Sequence, residues 1–195
     1  FVLRLPEGLD PARAAPLLCA GITTWSPLTR FKVGEGTRVG VAGLGGLGHM
    51  GVKFAAALGA HVTMITTSPQ KGEDARRLGA HEVLVSTDKE AMKAARSSFD
   101  FILNTIPVGH DVHPYLGLLR REGAIVIGGA IEPLPPIHGG MLIGNDRVLG
   151  GSAIGGIALT QAMLDFCAAN GVDADVEVIP IQRINEAYER MLRSD

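Results

Sequence analysis

Two cysteines, Cys19 and Cys167, are all that this 195-residue chain carries. So sparse a supply excludes a disulfide framework and points to a reducing compartment. Aromatic residues are scarce too, at 5% against 46% hydrophobic residues overall. A core with so few rings is mostly aliphatic and alanine, which suits tightly wound α/β layers. Neither sign of charge dominates, since 18 Lys and Arg against 20 Asp and Glu leave −2. That balance removes the electrostatic case for nucleic acid or an anionic membrane as a partner. No run reaches the roughly 18 apolar residues of a spanning helix, and no charged-then-apolar signal peptide opens the chain. The expectation is a soluble, cytoplasmic protein long enough to bury a good core as one domain. The chain opens on Phe1 in mid-strand or mid-loop and stops at Asp195 just after a helix. Both ends read as cuts, so a piece of a longer protein is expected.

The glycines, in contrast, are plentiful and placed. Gly43-Leu44-Gly45-Gly46-Leu47-Gly48 follows a short apolar strand, Arg38 to Ala42, and opens an apolar helix that ends on Gly59. Strand, glycine turn and helix is the setting in which G-x-G-x-x-G signals a dinucleotide site. Gly43 permits the tight turn, Gly45 lets a pyrophosphate reach the backbone, and Gly48 lets helix and strand pack closely. The helix N-terminus then offers unpaired N–H groups and a positive dipole end to the phosphates.

Around this turn the apolar pattern alternates. A helix begins at Asp10-Pro11, and a second runs from about Leu18 to Arg30 with an interruption at Pro27. Strands are expected at 38–43, 61–66, 82–86, 99–105, 123–129 and 147–152, with a last one at 175–179. Helices are expected at 46–58, 71–78, 88–96, near 110–119, at 158–170 and at 183–192. A Pro/Gly-rich passage covers 132–145. Strands spaced by helices imply right-handed crossovers and a doubly wound Rossmann fold with a mostly parallel six-stranded sheet. Residues 1–33 read as a helical segment bordering the cleft, and residues 34–195 as the dinucleotide-binding domain.

A carboxylate about 20 positions beyond the fingerprint holds the adenine ribose in NAD sites. Here that stretch is Thr66-Thr67-Ser68-Pro69-Gln70-Lys71, three hydroxyls and a cation with no acid. Such a set repels nothing from a 2′-phosphate and offers it charge-assisted donors, so the stretch reads as NADP(H)-binding.

Taken together, several stretches resemble one family. They are Ala15-Pro16-Leu17-Leu18-Cys19-Ala20-Gly21-Ile22-Thr23, the glycine turn through Gly51, Thr66 to Ser68, Leu78 to Ala80, Phe99 to Thr105, Gly151 to Gly156, and Ile184 to Met191. In order and over nearly the whole chain, they are similar to the medium-chain zinc-dependent alcohol dehydrogenases. The likeness is to the cinnamyl-alcohol-dehydrogenase-like branch and its bacterial NADP-dependent aldehyde reductases. The resemblance implies that this is the cofactor-binding domain of a two-domain, homodimeric enzyme acting on a small aldehyde or alcohol. A GroES-like catalytic domain, absent here, would supply most of the zinc chemistry.

The resemblance makes Cys19 one ligand of the catalytic zinc, an ion not expected to be held by this chain alone. It sets Thr23 beside the nicotinamide, with Thr105, Ile106, Gly128, Gly129 and Ala130 lining that side of the cleft. Ser152, Ala153 and Ile154 match a segment that touches the carboxamide or nearby backbone. An ordinary strand is an equally open reading of those three.

The remaining candidates read more plainly. His49 either approaches the pyrophosphate or packs. His110 and His113 read as a solvated helix start. Trp25 and Phe31 read as core or domain contacts, and Cys167 as inert packing. Two rivals stay open, a nucleotide-binding module without chemistry and an S-adenosylmethionine methyltransferase. A short-chain dehydrogenase is disfavoured because neither Tyr115 nor Tyr188 has a lysine four residues on.

Overall fold

The computed structural model describes residues 2–129 and 132–193. Among these, six strands form one sheet: β1 (Arg38–Ala42), β2 (His61–Thr66), β3 (Glu82–Val85), β4 (Phe99–Asn104), β5 (Leu119–Ile127) and β6 (Val148–Gly151). Their spatial order is β3-β2-β1-β4-β5-β6, and every neighbouring pair is parallel. The chain winds outward from β1 to β3, then returns to lay β4 on the other side of β1. The expected doubly wound Rossmann sheet is therefore present, with its switch point between β1 and β4.

Successive side chains on a strand face opposite sides, and that alternation divides the core. Val39, Val41, Phe101, Leu103, Ala124 and Val126 face one layer. Ala42, Ile102 and Ile125 face the other. The first layer is covered by α1 (Pro11–Ala14), α2 (Ala20–Arg30), α3 (Gly46–Ala57) and α4 (Gly72–Arg77). On the second face lie α5 (Lys89–Ala94), α6 (His113–Leu118) and α7 (Gly140–Ile143). Helix α8 (Ile157–Asn170) returns to the first face, and α9 (Ile184–Arg193) follows it. Three of the few rings meet where α2, α3 and α8 join. Trp25 lies 5.2 Å from Phe54 and 4.6 Å from Phe166, contacts that each add about 1 kcal/mol beyond their buried area.

Two expectations fail. Helix α2 is continuous through Pro27. Proline removes only its own N–H, and the turns around it stay bonded. Phe31 N–H donates to the Pro27 carbonyl, and Thr29 Oγ1 to that of Trp25, each at 3.0 Å. The strand expected at 175–179 does not form. Its approach is committed elsewhere: Ala174 exchanges bonds with the Arg13 carbonyl and side chain, and Asp175 N–H donates to His49 Nε2 at 3.0 Å.

Among the glycines the tightest fit is at Gly48, where a Cβ would fall 1.9 Å from the Gly43 carbonyl oxygen. At Gly46 nothing lies within 4 Å of that position. Gly48→Ala is therefore expected to cost about 3 kcal/mol, the upper end of overpacking penalties. Gly46→Ala should leave the urea midpoint nearly unchanged. Equal midpoints for the two variants would contradict this packing.

Candidate functional site

The site grows from the corner where β1 ends. Gly43 turns the chain with φ +92°, which side chains rarely tolerate. Thr105, just past β4, locks the corner from across the switch point. Its hydroxyl lies 2.9 Å from the carbonyls of both Ala42 and Gly43 and donates to them. Beyond the corner, α3 begins with no side chain capping its first N–H groups, so an uncompensated positive helix end faces the opening.

A crevice of about 460 Å³ lies outside the carboxyl ends of β1, β2, β3 and β4. It brings together Gly43, Leu44, Gly45, Gly46, Leu47, Thr66, Thr67, Ser68, Lys71, Thr105 and Ile106. Gly48 lies beneath it, against Gly43. Gly45, like Gly46, has open space where a side chain would begin. Both positions therefore leave bare backbone open to the crevice. Lys71 Nζ reaches within 3.4 Å of the Leu44 carbonyl, carrying a cation to the rim of the glycine turn.

The hydroxyls after β2 divide the work. Thr66 is buried, and its Oγ1 accepts the Ser68 N–H at 3.1 Å, which shapes the turn. Thr67 is exposed, and Ser68 turns its hydroxyl to Gln70 Oε1 at 2.9 Å. Thr67 and Lys71 therefore offer the accessible donors, with the Ser68 hydroxyl beside them given to Gln70. Sequence reasoning missed Ile65, Ser86, Pro107 and Tyr115, which complete the crevice. Ser86 follows β3, so applying the strand-end rule to every strand finds it. Tyr115 had no sequence signal. Burial pushes its phenol above the ordinary range, with a Ser86 hydrogen bond pulling the other way.

The other predicted residues lie apart from this crevice. Cys19 is exposed just before α2, and Thr23 is buried within that helix. A Cβ on Gly128 would touch Thr23 Cγ2 at 3.9 Å, and one on Gly129 would strike the Thr105 carbonyl. Ser152, Ala153 and Ile154 form no strand. They follow β6 in a loop, and Ser152 N–H donates to Ile127 O at 3.1 Å. Ala130 lies outside the described residues. Cys167 is buried, and that burial pushes its thiol up to about 12, as inert packing requires.

His113 does open α6, but His110 and His113 are only half-exposed and each ring is bonded within the protein. His113 Nδ1 bonds Asp111 Oδ1 at 2.6 Å, and His110 Nε2 bonds the buried Asn104 at 2.8 Å. A fully buried amide at a strand end needs a partner, and the imidazole meets it. Among the described residues, no three His, Cys, Asp or Glu side chains cluster as a metal site. No described helix is long and apolar enough to cross a membrane.

The profile of one protein family, described as zinc-binding dehydrogenase, matches residues 46–169. The chain belongs to the zinc-binding dehydrogenase family. This assignment sets aside the methyltransferase rival. The chain is 51% identical over 197 residues to "Aldehyde reductase YahK" of Escherichia coli, covering all of this chain and 56% of that protein. It superposes on a cinnamyl alcohol dehydrogenase of Sorghum bicolor with TM-score 0.96 and 44% identity, over 100% of this chain and 56% of that one. A Helicobacter pylori cinnamyl alcohol dehydrogenase, solved in complex with NADP(H), gives TM-score 0.88 and 36% identity over 98% and 55%. The chain thus spans about half the length of the relatives it matches.

In this dehydrogenase domain, the helix that carries the glycine turn is anchored along its flank. Lys53 Nζ lies 2.8 Å from Asp175 Oδ1 and 3.5 Å from Asp173 Oδ1, and Arg13 bridges the same two carboxylates. His49 takes the Asp175 N–H on Nε2, so that nitrogen carries no proton. Burial holds the His49 pKa below its usual 6.5, helped by the nearby Lys53. The Lys53 hydrogen bond holds Asp175 below 3.8. Both groups bind protons less readily folded than unfolded, so stability is full above about pH 6.5 and falls as the solution is acidified. The first loss comes as pH drops below the usual histidine value, the second below the usual aspartate value. Urea unfolding should show a lower midpoint at pH 5 than at pH 7.5. His49→Gln, which keeps an acceptor that does not titrate, should flatten that first step. An unchanged slope in the variant would remove His49 from the account.

Proposed function

We propose that this chain is the NADP(H)-holding domain of a zinc-type alcohol dehydrogenase that reduces small aldehydes. The observation that carries this is the pairing of side-chain-free backbone at Gly45 and Gly46 with Thr67, Ser68 and Lys71 across one crevice. The first half accepts a pyrophosphate on backbone N–H groups. The second half, with no carboxylate, accepts a 2′-phosphate through hydroxyl and ammonium donors. The Helicobacter relative, described as an NADP(H) complex, supports the same cofactor.

Bound NADPH would supply a hydride, and a zinc held in part by Cys19 would polarise the carbonyl that receives it. This chain's share is to bind and orient. Thr105, through its bonds to Ala42 and Gly43, fixes the corner against which the dinucleotide lies. Thr23, Gly128, Gly129, Ala130 and the loop of Ser152, Ala153 and Ile154 border the nicotinamide side in this reading. A further domain outside this chain supplies the rest of the substrate pocket, consistent with the length of the relatives. The cytoplasm suits an exposed Cys19 kept as a thiolate ligand.

Calorimetric titration tests the cofactor. NADPH should bind this chain at least about tenfold more tightly than NADH, the worth of one charge-assisted contact. Ser68→Asp with Lys71→Ala should reverse that order. Gly45→Ala should fold normally yet weaken both ligands. A preference for NADH in the unmodified chain would overturn the phosphate assignment.

We also propose that the chain pairs with a second copy along β6. That strand closes one edge of the sheet and leaves Val148 exposed, an arrangement that seeks a partner. Light scattering at tens of micromolar should give twice the chain mass, and a monomer mass would count against pairing.

A further inference from the structure

Between β4 and α6 the chain runs along the wall of the crevice as a short strap, residues 105–110. Thr105, Ile106 and Pro107 line the crevice itself. Beyond Thr105, whose hydroxyl bonds Ala42 and Gly43, one buried side chain ties the strap from below. Asn104, with no solvent exposure, accepts the Ile106 N–H on Oδ1 at 3.2 Å and meets His110 Nε2 through Nδ2 at 2.8 Å.

Donor and acceptor roles follow without freedom. A backbone N–H can only donate, so the amide oxygen faces Ile106 and the NH₂ group faces His110. His110 Nε2 therefore accepts and carries no proton. Its Nδ1 lies 2.7 Å from the Val108 carbonyl, which can only accept, so Nδ1 carries the proton. One tautomer of a neutral ring satisfies every group. A protonated ring would set an Nε2–H against the amide NH₂.

The ring also reaches the far wall. It lies edge-on to Tyr115 with centroids 5.9 Å apart, and Tyr115 lines the crevice. The strap's outer end is tied as well, by Gly109 N–H donating to Glu132 Oε2 at 2.9 Å. The titratable groups around the ring are Asp111, which bonds His113, His113, whose Nε2 accepts the His138 N–H, Tyr115 and Glu132.

We infer that Asn104 and His110 are positioning residues for the dinucleotide: they hold the strap against the crevice only while His110 is neutral and protonated on Nδ1. The inference rests on the dinucleotide reading given above.

Three measurements on this chain test it. Long-range proton–nitrogen spectra of the ligand-free protein at pH 7.5 should show His110 as the Nδ1–H tautomer, and an Nε2–H ring would overturn the proposal. His110→Phe keeps the ring contact with Tyr115 but loses the acceptor. It should weaken NADPH binding about tenfold, the worth of one buried hydrogen bond and the order it maintains. Asn104→Asp replaces the donor with an acceptor, which the Nδ1–H tautomer of His110 cannot serve through Nε2. It should weaken NADPH binding at pH 7.5 about as much as His110→Phe does. If the unmodified chain binds NADPH but both variants match it, the positioning role is wrong and the cofactor reading stands. If the unmodified chain binds no NADPH, the cofactor reading fails and this role falls with it.

Discussion

The contact on which the site depends is the one between the Gly43 carbonyl and the α-carbon of Gly48. No side chain fits between them. That single exclusion brings the start of α3 down onto the end of β1. The helix's unbonded N–H groups are thereby directed outward over the switch point rather than along the sheet. Thr105 then joins the two halves of the winding at the same place, bonding β1 from the end of β4. The crevice is what remains when a parallel sheet divides there and its two halves are pinned at their carboxyl ends.

How much of this could be read beforehand varies with the range of the forces involved. The glycine turn, the parallel sheet and the six strands that form it follow from local pattern, because strand and helix periods are set by neighbours in sequence. The failures at Pro27 and at 175–179 share a different cause. In both, the outcome depends on which groups elsewhere take up the backbone bonds. Bonds on either side of the proline keep α2 whole. Arg13 and His49, both distant in sequence, claim the backbone at Ala174 and Asp175 before any strand can. Alternating hydrophobicity cannot register such competition.

The same distinction runs through the site. Residues that act through their backbone, Gly43 to Gly48, were legible because their chemistry is a matter of φ and spacing. Residues that act through side chains from separate elements were less so. Thr66 looked equivalent to Thr67 and Ser68 in sequence, yet burial turns its hydroxyl inward to shape the turn. Ser86 and Tyr115 come from β3's end and α6, and only the sheet order brings them to the glycine turn. His110 looked like surface until Asn104 was seen to be wholly buried and in need of an acceptor.

The scarcity of rings has a further consequence. The chain has one tryptophan, and it is sealed between Phe54 and Phe166 on the face of the sheet held by α2, α3 and α8. Its near-ultraviolet emission is therefore a spectroscopic signal from one place only. It reports whether those three helices remain packed, and Trp25 lines no part of the crevice. A change in tryptophan emission on unfolding thus reads the packing of those three helices.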